Sequence, residues 1–161
     1  MDYSQTFAIS AAGMTVERSR VDVAALNLAN ANTVQSVGGP IYQPMHVVAR
    51  TSLAAGGITA AAFADQVDRG LNVDASGLAG LARAFMPQAS VEPTGTPPRM
   101  VYEPGNPLAD AKGFVGYAGV DSATEMVTMM SAMRSYEANV AAMNTAKTLA
   151  MRALDIGGTS S

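Results

Sequence analysis

Few side chains in this chain of 161 residues have the type and spacing for chemistry. His46 is the single histidine, and an imidazole acting as proton shuttle or metal ligand needs partners at hydrogen-bond or ligand spacing. None lies near it in sequence, so His46 reads as a strand-face histidine. Asp65 and Asp68 are three residues apart and would suit paired acid–base work. They sit in a polar stretch where two acids are ordinary loop residues. Gly38-Gly39 and Gly56-Gly57 could approach a phosphate, but no Lys-Ser/Thr follows either pair, and turn glycines are the simpler reading. Glu125, Arg134, Glu137 and Lys147 read as exposed or interfacial charges rather than as a clustered polar set. The chain has no cysteine, which excludes disulfides, thiolate metal sites and cysteine nucleophiles. No catalytic residue, metal ligand or cofactor is expected, and the chain does not read as an enzyme.

Composition narrows the class further. Charged residues are 14% of the chain, against roughly 25% in an average soluble domain. There are 30 alanines, while Leu, Ile, Val and Phe together number only 32. Such a chain has few charges for a wetted surface and few bulky groups for an interior. A net charge of −3 carries no basic stripe, so a nucleic-acid partner is not expected. A small-molecule substrate is not expected either. No run of 18 apolar residues exists, so a membrane span is not expected. Met1-Asp2-Tyr3-Ser4-Gln5 has neither the basic nor the apolar part of a cleavable secretory signal.

The elements that must position these groups change character near residues 33 and 121. Residues 4–32 hold no proline and one glycine, Gly13. Phe7, Met14, Val21 and Leu28 recur every seven residues, the pattern of a helix packed along one stripe. Ala11 and Ala25 fill intermediate positions, and Arg18 interrupts the seam. A second helix is predicted over Ala123–Ile156, opened by Ser122-Ala123-Thr124-Glu125 as a capping box and closed by Gly157-Gly158 as a left-handed cap. Its seam is Met126, Met129, Met133, Tyr136, Val140 and Met143, then Ala150 and Leu154, with Lys147 the misfit.

All eight prolines and twelve of the fifteen glycines fall between the helices. Short strand-like runs are expected at 45–49, 84–86, 99–102 and 114–117, with turn chemistry at Pro104-Gly105-Asn106-Pro107. Residues 52–82 are Ala/Gly-rich, and either a mobile loop or a small helical insertion fits them.

Two features point outward. Six of the eleven methionines (126, 129, 130, 133, 143 and 151) lie on the second helix, and they exceed one stripe. An apolar face wider than one neighbouring helix can cover implies further neighbours. The run Leu26-Asn27-Leu28-Ala29-Asn30-Ala31-Asn32-Thr33 is asparagine-rich for a helix. It is either a fraying end or a set of amides (Asn27, Asn30, Asn32) that fix register between packed helices.

At these residues the chain resembles the bacterial flagellar axial proteins of the rod and hook. The N-terminal likeness is Ile9-Ser10-Ala11-Ala12-Gly13-Met14 followed by Asp22-Val23-Ala24-Ala25-Leu26-Asn27-Leu28-Ala29-Asn30-Ala31-Asn32-Thr33. The C-terminal likeness is Glu125-Met126-Val127, Tyr136-Glu137-Ala138-Asn139-Val140 and Ala153-Leu154-Asp155-Ile156-Gly157. Pro97-Pro98-Arg99-Met100-Val101-Tyr102-Glu103-Pro104-Gly105-Asn106-Pro107, then Ala109-Asp110, narrows it to a rod subunit. The likeness is weak over 52–90. Gly38-Gly39-Pro40-Ile41-Tyr42 resembles a family Gly-Gly-Pro-Tyr element with an added Ile. Tyr117-Ala118-Gly119-Val120-Asp121 departs from the family's Tyr-Pro-Asn-Val-Asp.

The resemblance implies a mainly α chain with a small β-containing middle, its long terminal helices paired as a coiled coil. The organisation expected is an N-terminal axial helix (1–33), a central β/loop domain (34–121), a C-terminal axial helix (122–157) and a tail (158–161). It implies a structural subunit of the proximal rod, in the basal body within the periplasmic space, exported unfolded without signal cleavage. Assembly would be helical, through the seam residues above and through Asn27, Asn30, Asn32, Glu137 and Asn139. The subunit would transmit torque and form part of the export channel. Expected partners are copies of itself, other rod proteins, the distal rod and the adaptor joining rod to membrane ring. A self-contained helical-hairpin interaction module, or another rod or hook subunit, is the alternative.

Overall fold

The computed structural model describes residues 3–35, 42–51 and 86–158. Its order is α1 (Tyr3–Asn30), β1 (Val34–Gln35), β2 (Met45–Thr51), β3 (Pro87–Pro93), β4 (Arg99–Tyr102), β5 (Phe114–Tyr117) and α2 (Ser122–Gly158). Among the described residues the chain is thus mainly α with a small strand-bearing middle. Asp65, Asp68, both glycine pairs and the 52–82 insertion lie outside the described residues.

α1 is uninterrupted for 28 residues because nothing in it removes a backbone donor. It ends by tightening: Ala31 N–H donates to Leu28 O at 3.2 Å and Thr33 N–H to Asn30 O at 3.1 Å. The Thr33 hydroxyl also donates to Asn30 O at 2.7 Å, satisfying a carbonyl that the helix end orphans.

α2 spans 37 residues, about 55 Å at 1.5 Å per residue. Its cap differs from the sequence expectation. Asp121, one residue before the helix, accepts from Ala123 N–H at 3.0 Å and from the Thr124 hydroxyl at 2.7 Å. Glu125 N–H donates to Asp121 O at 3.0 Å, so Asp121 rather than Ser122 caps the helix. The other end differs too. Gly157 and Gly158 lie inside the last helical turn instead of terminating it.

β1, β5 and β4 form a three-stranded sheet with β5 in the centre. Both pairings are antiparallel, with Val34 and Arg99 opposite Tyr117 and Val101 opposite Val115. Period-two alternation sends Val115, fully buried, to one face. Met100, Tyr102 and Phe114 occupy the other and stay exposed. The loop between β4 and β5 is closed from within: Glu103 N–H donates to Gly113 O, and Asp110 Oδ1 accepts from the Lys112 and Phe114 amides at 2.8 Å each. β2 and β3 make a separate two-stranded sheet. Residues 84 and 85 of the expected strand at 84–86 lie outside the described residues; β3, which begins at Pro87, and β1 were not expected. β1 is only two residues long, too short for alternation to register.

The described residues fall into two compact units. One lies within Met1–Val16, Ala49–Ser90 and Glu137–Ser161, the other within Glu17–Val48 and Val91–Tyr136. No described helix is long and apolar enough to cross a membrane.

Candidate functional site

The larger unit-level feature is a polar node at the end of α1. Asn27 is completely buried. Its Oδ1 accepts from Met45 N–H at 3.0 Å and from the Tyr42 hydroxyl at 2.9 Å. Its Nδ2 donates to Met45 O at 2.7 Å and to Glu125 Oε1 at 3.0 Å. One amide, with two acceptor sites and two donors all used, therefore ties α1 to the start of β2 and to the first turn of α2. Burial and the nearby Glu125 charge raise the Tyr42 pKa, keeping the phenol a donor.

The node uses Glu125 differently from the sequence reading. With the helix start capped by Asp121, the Glu125 side chain is released to reach Asn27. Tyr42 belongs to the Gly-Gly-Pro-Ile-Tyr element, and nothing in local pattern assigned it a partner fifteen residues upstream. Of the other asparagines, Asn30 donates to Leu26 O of its own helix at 2.8 Å, and Asn32 is exposed.

In the other unit α1 and α2 approach closely at Gly13 and Asn139. A Cβ built on Gly13 would lie 2.9 Å from Asn139 Nδ2, so glycine makes room for the amide. Asn139 is half-buried and Glu137 exposed.

The seam residues divide. On α1, Phe7, Met14, Val21 and Leu28 are all half-buried, while the fully buried positions are Ser10, Val16, Val23, Ala24 and Asn27. The buried stripe is thus rotated from the heptad of large residues and carries smaller ones. On α2, Met129, Val140, Met143 and Ala150 are half-buried, and Ala132 and Ala146 fully so. Met126, Met133, Tyr136 and Leu154 are exposed, with Leu154 at 75%. The large apolar groups of α2 therefore face outward as much as inward. Thr128, Thr145 and Thr148 donate their hydroxyls to carbonyls one turn back. Arg134, Glu137, Lys147, Arg152 and Asp155 share the exposed surface of the helix with these apolar groups.

A second polar cluster stabilises the sheet. Glu103 accepts from the Tyr117 hydroxyl at 2.8 Å and from Asn106 Nδ2 at 2.9 Å. These bonds, Asn106's first, hold the Glu103 carboxyl below its ordinary range, and the same Glu103 bond raises the Tyr117 phenol. The Arg99 guanidinium lies 5.4 Å from the Tyr117 ring centre, and Tyr102 meets Phe114 edge-on at 5.4 Å. Gly119, at the family's Asn position, packs against the Pro97 carbonyl so tightly that no Cβ fits. His46 is exposed on β2, with Nδ1 3.4 Å from the Thr94 hydroxyl. Among the described residues no three His, Asp or Glu side chains gather as metal ligands.

The family model described as the C-terminal part of the flagellar basal body rod FlgEFG proteins matches residues 111–156, which take in β5 and nearly all of α2. The chain is 38% identical over 151 residues to the flagellar basal-body rod protein FlgC of Escherichia coli O6:H1, covering 94% of this chain and 95% of that one. It is 37% identical over the same length to FlgC of Salmonella typhimurium, again covering 94% and 95%. It is 36% identical over 154 residues to FlgC of Bacillus subtilis, covering 92% and 94%.

Proposed function

Because the chain belongs to the FlgC family of flagellar basal-body rod proteins, we propose that it is a tile of the proximal rod that assembles through its two terminal helices. The observation that carries this reading is the outward apolar face of α2. Met126, Val127, Met130, Met133 and Tyr136 lie exposed within three turns, while Ala132 on the same helix is buried. Each such large side chain contributes roughly 1.5–3 kcal/mol when fully covered. A lone chain forgoes that stabilisation, and an assembled one recovers it.

A contact between unlike faces, repeated by a screw operation that does not close, builds a filament. The terminal helices pair as a coiled coil toward the rod's inner tube, and the sheet faces outward. The rod so formed transmits torque and forms part of the export channel. Neighbours are copies of the chain, other rod proteins, the distal rod and the adaptor to the membrane ring. The chain travels to this place unfolded. Asn27 sets the register between α1 and the elements it ties together, and Asn30, Asn32, Glu137 and Asn139 serve the same interfaces.

The test is complementation of a gene deletion in the flagellated host. Val140→Asp and Met133→Asp are expected to abolish rod assembly and swimming, and His46→Ala to preserve both. Swimming by the Asp variants would overturn the seam assignment. Normal swimming after complete deletion would overturn the whole reading.

A further inference from the structure

Three thioethers stand in one exposed row on α2. Met126, Met130 and Met133 are spaced i, i+4 and i+7, one face of a helix, and are 51%, 54% and 52% exposed. Met129, one position from Met130, is half-buried, as is Met143 further along. The fold thus divides the helix's methionines into accessible and sheltered ones, a distinction that the sequence does not contain. A thioether is apolar and adaptable, whereas its sulfoxide is polar and strongly hydrogen-bonding.

We infer that Met126, Met130 and Met133 form an oxidation-sensitive patch, which hydrogen peroxide converts to sulfoxides and thereby disables for rod assembly. In each step a sulfur lone pair forms an S–O bond to one peroxide oxygen as the O–O bond breaks. The departing hydroxide takes the proton from the transferred oxygen and leaves as water. Sulfur is oxidised and peroxide reduced, so atoms and electrons balance. Three oxidations on one face change its whole character from apolar to polar. Methionine sulfoxide reductases reverse the change. The assembly half of this inference rests on the proposed function, whereas the oxidation pattern does not.

The purified full-length chain, treated with graded hydrogen peroxide and mapped by peptide mass spectrometry, is expected to gain oxygen at Met126, Met130 and Met133 several-fold faster than at Met129 and Met143. Equal rates would overturn the patch. In cells, rod assembly by the triple variant M126L/M130L/M133L, taken relative to its own untreated level, is expected to persist under a peroxide challenge that stops wild-type assembly. M100L, which replaces an exposed methionine on β4, is expected to give no protection. M126Q/M130Q/M133Q, with its helicity checked by circular dichroism, is expected to be missing from isolated basal bodies. Equal peroxide sensitivity of the Leu variant and wild type, or normal incorporation of the Gln variant, would overturn the inference. Absence of the untreated wild-type chain from basal bodies would instead overturn the proposed function and the assembly half with it, the oxidation pattern being judged separately.

Discussion

Asn27 Nδ2 lies 3.0 Å from Glu125 Oε1, joining residues 98 positions apart in a site from which Asn27 is wholly removed from water. A buried amide with every donor and acceptor used stabilises modestly when intact. Its loss costs much more, because its partners are then left unpaired. The same property makes the node a specificity device, since α1 sliding by one residue would break four hydrogen bonds together.

Asn27→Leu is expected to lower unfolding stability by several kcal/mol, from about 1–3 kcal/mol for each buried partner left unsatisfied. Asn27→Asp sets a second carboxylate against Glu125 and an acceptor against Met45 O, and should destabilise comparably at neutral pH. Adding Glu125→Gln to Asn27→Asp removes the charge conflict alone and should recover part of the loss. Chemical denaturation of wild type, Asn27→Asp, Glu125→Gln and the double variant measures this, and strict additivity would refute the contact.

Gly119→Ala and Gly105→Ala should differ sharply. A Cβ at Gly119 collides with the Pro97 carbonyl, a backbone atom that moves only with its loop, whereas a Cβ at Gly105 meets nothing within 4 Å. Overpacking of this kind costs about 1–3 kcal/mol. The first variant should show a lowered Tm and the second a nearly unchanged one.

Asp121→Ala removes the acceptor for the Ala123 amide and the Thr124 hydroxyl. The first turn of α2 should fray, with faster hydrogen exchange at Ala123 and Thr124. Ser122→Ala should leave those rates near wild type, the reverse of what a Ser122 cap requires.

Acid should weaken the fold through Glu103 and Asp121. Asn106 and Tyr117 lower the Glu103 pKa, and the Thr124 hydroxyl followed by the Ala123 amide lowers that of Asp121. A carboxyl whose folded pKa lies below its unfolded one contributes fully above the unfolded value, near pH 4. That contribution fades as pH falls through the lower, folded value. Stability measured downward from about pH 5 should therefore drop, and Glu103→Gln with Asp121→Asn should flatten the decline.

Much of the fold was legible from local pattern. Both helices could be read because no proline interrupts them, and β4 and β5 because Arg99–Tyr102 and Phe114–Tyr117 are β-prone runs between turn residues. The cap was misread for an identifiable reason. Ser122 and Glu125 satisfy the capping-box spacing, but Asp121 stands one residue earlier with a stronger acceptor, and spacing alone does not rank the two. Gly157-Gly158 resembled a stop because glycine is common just beyond helices, yet its cost inside a final turn is small enough to tolerate.

The candidate site was legible only as an inventory. The sequence by itself determined which residues were unusual: asparagines in a helix, methionines beyond one stripe, and few charged residues for the chain's length. Tertiary structure decided their uses. It buried Asn27 and exposed Asn32, turned Met129 inward and Met130 outward, and moved Glu125 from a cap to a partner of α1. Helical periodicity fixes angles around one axis, but burial depends on which neighbours arrive at each angle. Asn27 meets Tyr42, Met45 and Glu125 only because chain segments far apart in sequence converge there, and no local pattern encodes that convergence.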